Sequence, residues 1–289
     1  MHSPLALPDR GERGLLPAGF MDVLPPHAAF EAQMVERLMQ LFAGYGYERV
    51  KPPLIEFEET LLAGSGAALA KATFRLMDPV SQRMLALRSD MTMQIARIAE
   101  TRLGQRPRPL RLSYAGQVLR VRGSELRPER QFGQVGAELV GSLACTADVE
   151  IIVMAVSALA ALGLGGLCVD LNAPTLVAAI LAERGLDAAA IERVTDALDR
   201  KDAAAVQALA PAIGTATASL LVRLLATAGP AETALARLAA EDLPPSAAAA
   251  RHKLAAVAAG LKAAAADMTL SIDPVEWRGF EYHSGVTFS

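Results

Sequence analysis

Apolar side chains at Phe30, Met34, Leu38, Leu41 and Phe42 recur at the spacing of one helical face, and Gly44 and Gly46 supply the stop. Residues 47–50 then read as a strand ended by Pro52 and Pro53. Residues 74–77 and 84–87 flank the turn-rich Asp78-Pro79-Val80-Ser81, which predicts a hairpin, and Ser89 stands where it can cap the next helix. Residues 110–114, 117–121 and 131–140 carry further strand patterns. The first part of the chain is therefore expected to form an antiparallel sheet with helices against it, an α+β arrangement.

The middle of the chain changes character. Residues 151–169 hold no charge, but Gly163, Gly165 and Gly166 interrupt them and no Lys or Arg anchors flank them. They read as a buried helix, a glycine turn and a buried strand, with no membrane span. From Thr175 to about Ala266 the pattern is almost entirely helical, with Pro174 near a start, Gly185 as a stop, and breaks at Pro211, Pro230 and Pro244-Pro245. Phe, Tyr and Trp occur only up to Phe132 and from Trp277 onward, which separates two kinds of packing. Strand signals return at 268–272 and 279–288, and such strands need a sheet to join. The expected division is a core at 1–172, an alanine-rich helical insertion at 173–266, and strands at 267–289 returning to the core sheet.

A 289-residue chain with 52% hydrophobic residues can fill a substantial core. A formal charge of -3 provides no overall field for gathering nucleic acid or an anionic membrane. Cys145 and Cys168 are too far apart for a CxxC pair, and His2, His27, His252 and His283 lack ligand spacing, so neither a disulfide framework, a metal site nor a cofactor is indicated. Residues 1–14 do not read as a secretory signal, which leaves the cytoplasm as the expected compartment.

Candidate chemistry concentrates on residues 131–138, where strand alternation puts Gln134, Gly136 and Glu138 on one face. Two polar groups flanking a glycine suggest space for a ligand, with an amide and a carboxylate to contact it. Arg120 reads as a mid-strand guanidinium that needs an anion: either Glu138 or another carboxylate tying strands together, or a ligand. Asp90 and Thr92 offer a carboxylate and a hydroxyl at a helix start, where capping is the alternative role. The arginines at 102, 106, 108 and 111 read as a solvated loop, and Gly64-Ser65-Gly66 lacks the rest of a phosphate loop.

Taken in order, these segments resemble the catalytic domain of histidyl-tRNA synthetase and its non-synthetase relative, the regulatory subunit of ATP phosphoribosyltransferase. Residues 16–25 look like the family's opening segment, and the helix through Tyr45-Gly46-Tyr47 with the strand to Pro52-Pro53 looks like class II motif 1. Leu119-Arg120 with Arg130-Gln131-Phe132-Gly133-Gln134 looks like motif 2, and Arg278-Gly279-Phe280-Glu281-Tyr282-His283-Ser284-Gly285 resembles the histidine-specific signature. The resemblance implies a class II synthetase-like sheet, a homodimer through motif 1, and a histidine-like ligand. By similarity Asp90 and Thr92 would face its α-amino group, Arg120 and Arg278 its carboxylate side or an attached phosphate, and Gln134, Glu138, Tyr282 and His283 the remainder.

The departures from the synthetase point away from catalysis. Arg122 stands where motif 2 carries an acid, reversing the charge where ATP would be handled. His283 replaces a tyrosine of the signature, and Asp90 a glutamate. No motif 3 follows before Ser289, which reads as a fragment of a longer protein. The resemblance thus implies a non-catalytic subunit that assembles with a short catalytic ATP phosphoribosyltransferase in the first step of histidine biosynthesis and passes on regulation by histidine, without tRNA binding. A fragment of a true histidyl-tRNA synthetase is the alternative.

Overall fold

A computed structural model describes residues 16–124, 127–182, 185–276 and 285–289. The chain forms two compact units. One comprises Met1–Ala43, Tyr47–Arg106 and Leu112–Glu138, the other Gly44–Gly46, Pro107–Arg111 and Leu139–Ser289.

The first unit opens with α1 (His27–Gly44), which buries Met39 and Phe42 and leaves Phe30, part of its apolar stripe, 61% exposed. Gly46 adopts φ +84, a left-handed turn that glycine enters without steric penalty, and the Tyr47 N–H closes the helix on the Phe42 carbonyl. Then follow β1 (Glu48–Arg49), β2 (Ile55–Phe57), α2 (Glu58–Leu61), a 3-10 helix (Gly64–Ala72), β3 (Arg75–Met77), β4 (Met84–Leu87), α3 (Thr92–Thr101), β5 (Leu110–Leu119) and β6 (Gln131–Val140). The predicted hairpin is present as antiparallel β3 and β4, with Met77 opposite Met84, and β2 pairs on the other side of β4. Asp78 shapes the turn by accepting the N–H groups of Val80 and Ser81.

A second sheet has the order β1-β5-β6. Here β1 runs parallel to β5, with Glu48 opposite Leu112, so the expectation of a wholly antiparallel arrangement fails at this edge. The long stretch between the two strands supplies the crossover that parallel pairing needs. Residues 110–119 are one unbroken strand, where the sequence pattern gives two, at 110–114 and 117–121. A Cβ at Gly116 would lie 2.4 Å from Arg88 Nη2, so the glycine admits a buried guanidinium instead of ending the strand. Ser89 does not cap α3: its hydroxyl meets Thr73 Oγ1 at 3.2 Å, while Asp90 Oδ1 accepts the Thr92 N–H at 2.8 Å.

The second unit contains α4 (Cys145–Ala161), β7 (Cys168–Asn172), α5 (Pro174–Ala182), α6 (Ala188–Asp199), α7 (Ala203–Ala208), α8 (Ala210–Ile213), α9 (Thr215–Leu225), β8 (Gly229–Pro230), α10 (Ala231–Ala239), α11 (Pro245–Ala264), β9 (Thr269–Asp273) and β10 (Thr287–Phe288). Its sheet has the order β10-β7-β9-β8, with β7 parallel to β9. Asp187 and Asp202 cap α6 and α7 by accepting the N–H groups of Ala190 and Ala205.

One apolar core joins Ile152 of α4, Leu171 of β7, Leu176 of α5, Leu221 of α9, Leu254 of α11 and Ile272 of β9. The alanine-rich helices therefore share a core with α4, β7 and β9, and the compact units divide at 138/139, whereas the sequence pattern places the helical segment at 173–266. Among the described residues, β9 and β10 both pair with β7, a strand that falls within the 1–172 segment. The reason is topological: β7 and β9 are parallel neighbours, and the helical segment is the crossover between them. Among the described residues no helix is long and apolar enough to cross a membrane.

Candidate functional site

Within the first unit, β6 presents Phe132, Gln134, Gly136 and Glu138 on one face, as alternation requires. The space beside Gly136 is filled by the chain itself. A Cβ there would stand 2.5 Å from Tyr114 Cζ, so the glycine makes room for this phenol, which is 3% exposed. The expectation of a ligand-sized gap at Gly136 is corrected accordingly: Tyr114 of β5 occupies it and carries a hydroxyl into the cluster.

The segment between β4 and α3 meets this face. Asp90 Oδ2 accepts the Gln134 side-chain amide at 2.7 Å, and Gln134 Oε1 accepts the Met91 N–H at 2.9 Å, so the two residues lock each other's orientation. The Tyr114 hydroxyl donates to Glu138 Oε1 at 3.1 Å and lies 3.4 Å from Thr92 Oγ1. The structure thus brings Asp90, Thr92, Gln134 and Glu138 together and adds Tyr114.

Burial raises the Glu138 carboxyl above its ordinary range; the bonds from Thr92 and Tyr114 oppose that shift and the nearby Asp90 charge adds to it. Burial, reinforced by the Glu138 charge, also pushes the Tyr114 phenol up, so it stays a protonated donor. Among the described residues no Lys or Arg forms an ion pair with Asp90 or Glu138. Two neighbouring carboxylates that, among the described residues, are held only by neutral donors form an environment that favours an incoming cationic group.

Arg120 is not mid-strand; it follows the last residue of β5. Its N–H donates to the Arg130 carbonyl at 2.7 Å, and its guanidinium lies over the Phe132 ring, 5.0 Å from the centroid. Among the described residues it forms no ion pair with Glu138 or with another carboxylate. Stacking on Phe132 keeps Arg120 on the face that carries Gln134 and Glu138. Arg278, Tyr282 and His283 lie outside the described residues.

Arg88 is the other residue that sequence reasoning passed over. Its guanidinium is buried yet well satisfied, donating to the carbonyls of Gln117 at 2.8 Å and Pro52 at 3.0 Å. The signal was the glycine inside the β5 pattern, where a close approach is the usual cause. Arg106 and Arg111, two of the arginines read as a solvated loop, are engaged in bidentate pairs with Glu48 and Glu150. Two open clefts lie elsewhere in this unit, and their walls contain the Glu56–Arg97 and Glu59–Arg83 pairs, so their charges are already matched.

The family model described as histidyl-tRNA synthetase matches residues 19–289. An ATP phosphoribosyltransferase regulatory subunit from Paramagnetospirillum magneticum is 57% identical over 281 residues, covering 97% of this chain and 73% of that protein. Among solved structures, an ATP phosphoribosyltransferase regulatory subunit/histidyl-tRNA synthetase from Bacillus halodurans C superposes with a TM-score of 0.82 at 25% identity, covering 98% of this chain and 73% of that one. A chain of the ATP phosphoribosyl transferase (HisG:HisZ) complex from Thermotoga maritima matches with a TM-score of 0.65 at 17% identity, over 89% of this chain and 85% of that one. With a class II synthetase-like fold and this level of identity along nearly its whole length, the chain belongs to the histidyl-tRNA synthetase family, among its ATP phosphoribosyltransferase regulatory subunits.

Proposed function

We propose that this chain is the non-catalytic regulatory subunit of an ATP phosphoribosyltransferase, acting in the cytoplasm at the first step of histidine biosynthesis, with the chemistry carried out by a short catalytic partner chain. Identity to the Paramagnetospirillum protein supports the subunit assignment. The name of the Thermotoga complex, which pairs two components, supports the partnership.

The observation that carries the ligand reading is the cluster of Asp90 and Glu138, held by Gln134, Thr92 and Tyr114 with no cationic partner among the described residues. An amino acid's ammonium group meets that need, and histidine is the effector proposed. Asp90 and Thr92 take its α-amino group, Arg120 and Arg278 its carboxylate side, and Gln134, Glu138, Tyr282 and His283 the rest. For Arg278, Tyr282 and His283 the support is the resemblance of their segment alone. A homodimer through the motif 1 region agrees with Leu24 and Phe30 at 65% and 61% exposure. Neither tRNA binding nor a cofactor belongs to this role.

The test is to mix the protein with a short catalytic subunit and assay phosphoribosyl transfer from phosphoribosyl pyrophosphate to ATP. The expected result is activity that requires both chains and falls as histidine is added. Activity indifferent to this chain refutes the regulatory role. Histidine-dependent exchange of pyrophosphate into ATP by this chain alone assigns it to the synthetases instead.

A further inference from the structure

The residues gathered by Arg130 have a use beyond packing. Its guanidinium lies over the rings of Phe20 and Phe74, 4.9 Å from each centroid, and Nη1 donates to the Ala18 carbonyl at 3.1 Å. Its N–H donates to the Gly19 carbonyl at 2.8 Å. The side-chain stem presses on Gly19 so closely that a Cβ there would stand 2.7 Å from Cγ and Cδ. Gly19 also has φ +81, a conformation that disfavours any side chain. Residues 18–20 are thus wrapped around one arginine.

The same arginine holds the backbone of Arg120 from both sides. The Arg130 carbonyl accepts the Arg120 N–H at 2.7 Å, and Arg130 Nε reaches the Arg120 carbonyl at 3.4 Å. Arg120 lies beyond the last residue of β5, so no regular ladder fixes it there. Its side chain then depends on the Arg130 contacts and on the Phe132 ring for its direction. A guanidinium displaced by an ångström loses aligned bonds to a carboxylate, which makes such support functionally sensitive.

We propose that Arg130 is a positioning residue for ligand recognition: it clamps residues 18–20 to the backbone of Arg120 and thereby sets the Arg120 guanidinium for the ligand's carboxylate side. This rests on the reading of Arg120 as a ligand contact. Its consequence is that residues 18–20, remote in sequence from the cluster, control affinity through Arg130.

The test is a double-mutant cycle on the protein assembled with its short catalytic subunit, titrated calorimetrically with histidine up to millimolar concentrations. Arg130→Met, and Gly19→Ala as a milder push on the same clamp, are measured alone and in the Arg120→Ala background. Arg130→Met is expected to weaken binding about tenfold alone and less than about twofold with Arg120→Ala, because it acts through that residue. Equal losses in both backgrounds overturn the proposal in favour of a merely structural role, and so does an unchanged affinity in the single variants. Hydrogen exchange supplies a readout independent of the ligand: the amides of residues 18–20 and of Arg120 are expected to exchange about tenfold faster in Arg130→Met. Unchanged exchange overturns the clamp even if the parent protein fails to bind histidine, an outcome that would by itself refute only the ligand assignment.

Discussion

Gly136→Ala probes the centre of the cluster with a single methyl group. The new Cβ would lie 2.5 Å from Tyr114 Cζ and from its hydroxyl, and 2.8 Å from Cε2. Ordinary contact begins near 3.4 Å, so the ring must retreat by about 1 Å, yet Tyr114 is 3% exposed and has little room to do so. Overpacking of this kind destabilises by roughly 1–3 kcal/mol. Displacing the phenol also strains or breaks its bond to Glu138, adding about 1–2 kcal/mol. A total of about 2–5 kcal/mol corresponds to a fall in melting temperature of roughly 3–8 °C for a chain of this size. Differential scanning calorimetry of the purified protein is the assay. Adding Tyr114→Leu removes the colliding atoms, so the double variant is expected to be more stable than Gly136→Ala alone. A Gly136→Ala protein that melts within about 1 °C of the parent would show that the ring does not occupy that space, and the placement of Tyr114 beside Glu138 would have to be abandoned.

Three further outcomes are expected. Arg120→Ala should weaken histidine binding about tenfold or more by removing charge-assisted bonds worth roughly 1.5–3 kcal/mol each; an unchanged calorimetric titration contradicts the assignment. Because the folded protein holds the Glu138 proton to higher pH than the ordinary 4.5, the contribution of this group to stability is complete below that value and declines as pH rises through the raised one. Glu138→Gln should flatten that decline in urea unfolding measured over the same range, and an unaltered pH profile counts against it. Arg88→Met strips the donors from the carbonyls of Gln117 and Pro52, and a loss of about 3 kcal/mol or more in urea unfolding is expected, whereas a loss under about 1 kcal/mol denies Arg88 its structural role.

The local elements were legible because their causes are local. The period of Met34, Leu38, Leu41 and Phe42, the Asp78-Pro79 turn and the glycines after α4 each act within a few residues, and α1, the β3–β4 hairpin and the α4–β7 connection follow from them. Alternation along residues 131–138 was equally local, and it named Gln134 and Glu138 before any contact was visible. Motif order along the chain then carried the family reading.

What the sequence could not decide was which distant groups meet. Gly136 reads as a gap, but its meaning depends on Tyr114 arriving from another strand, and only the folded chain shows that this space is occupied, as the space beside Gly116 is by Arg88. The helical segment looked like an insertion because its composition differs, although composition is silent about partners. Its apolar faces cover β7 and β9, so it belongs to their core. Periodicity fixes the direction of a side chain relative to its own backbone; the identity of the neighbour on that side is set by long-range packing, which only the tertiary structure records.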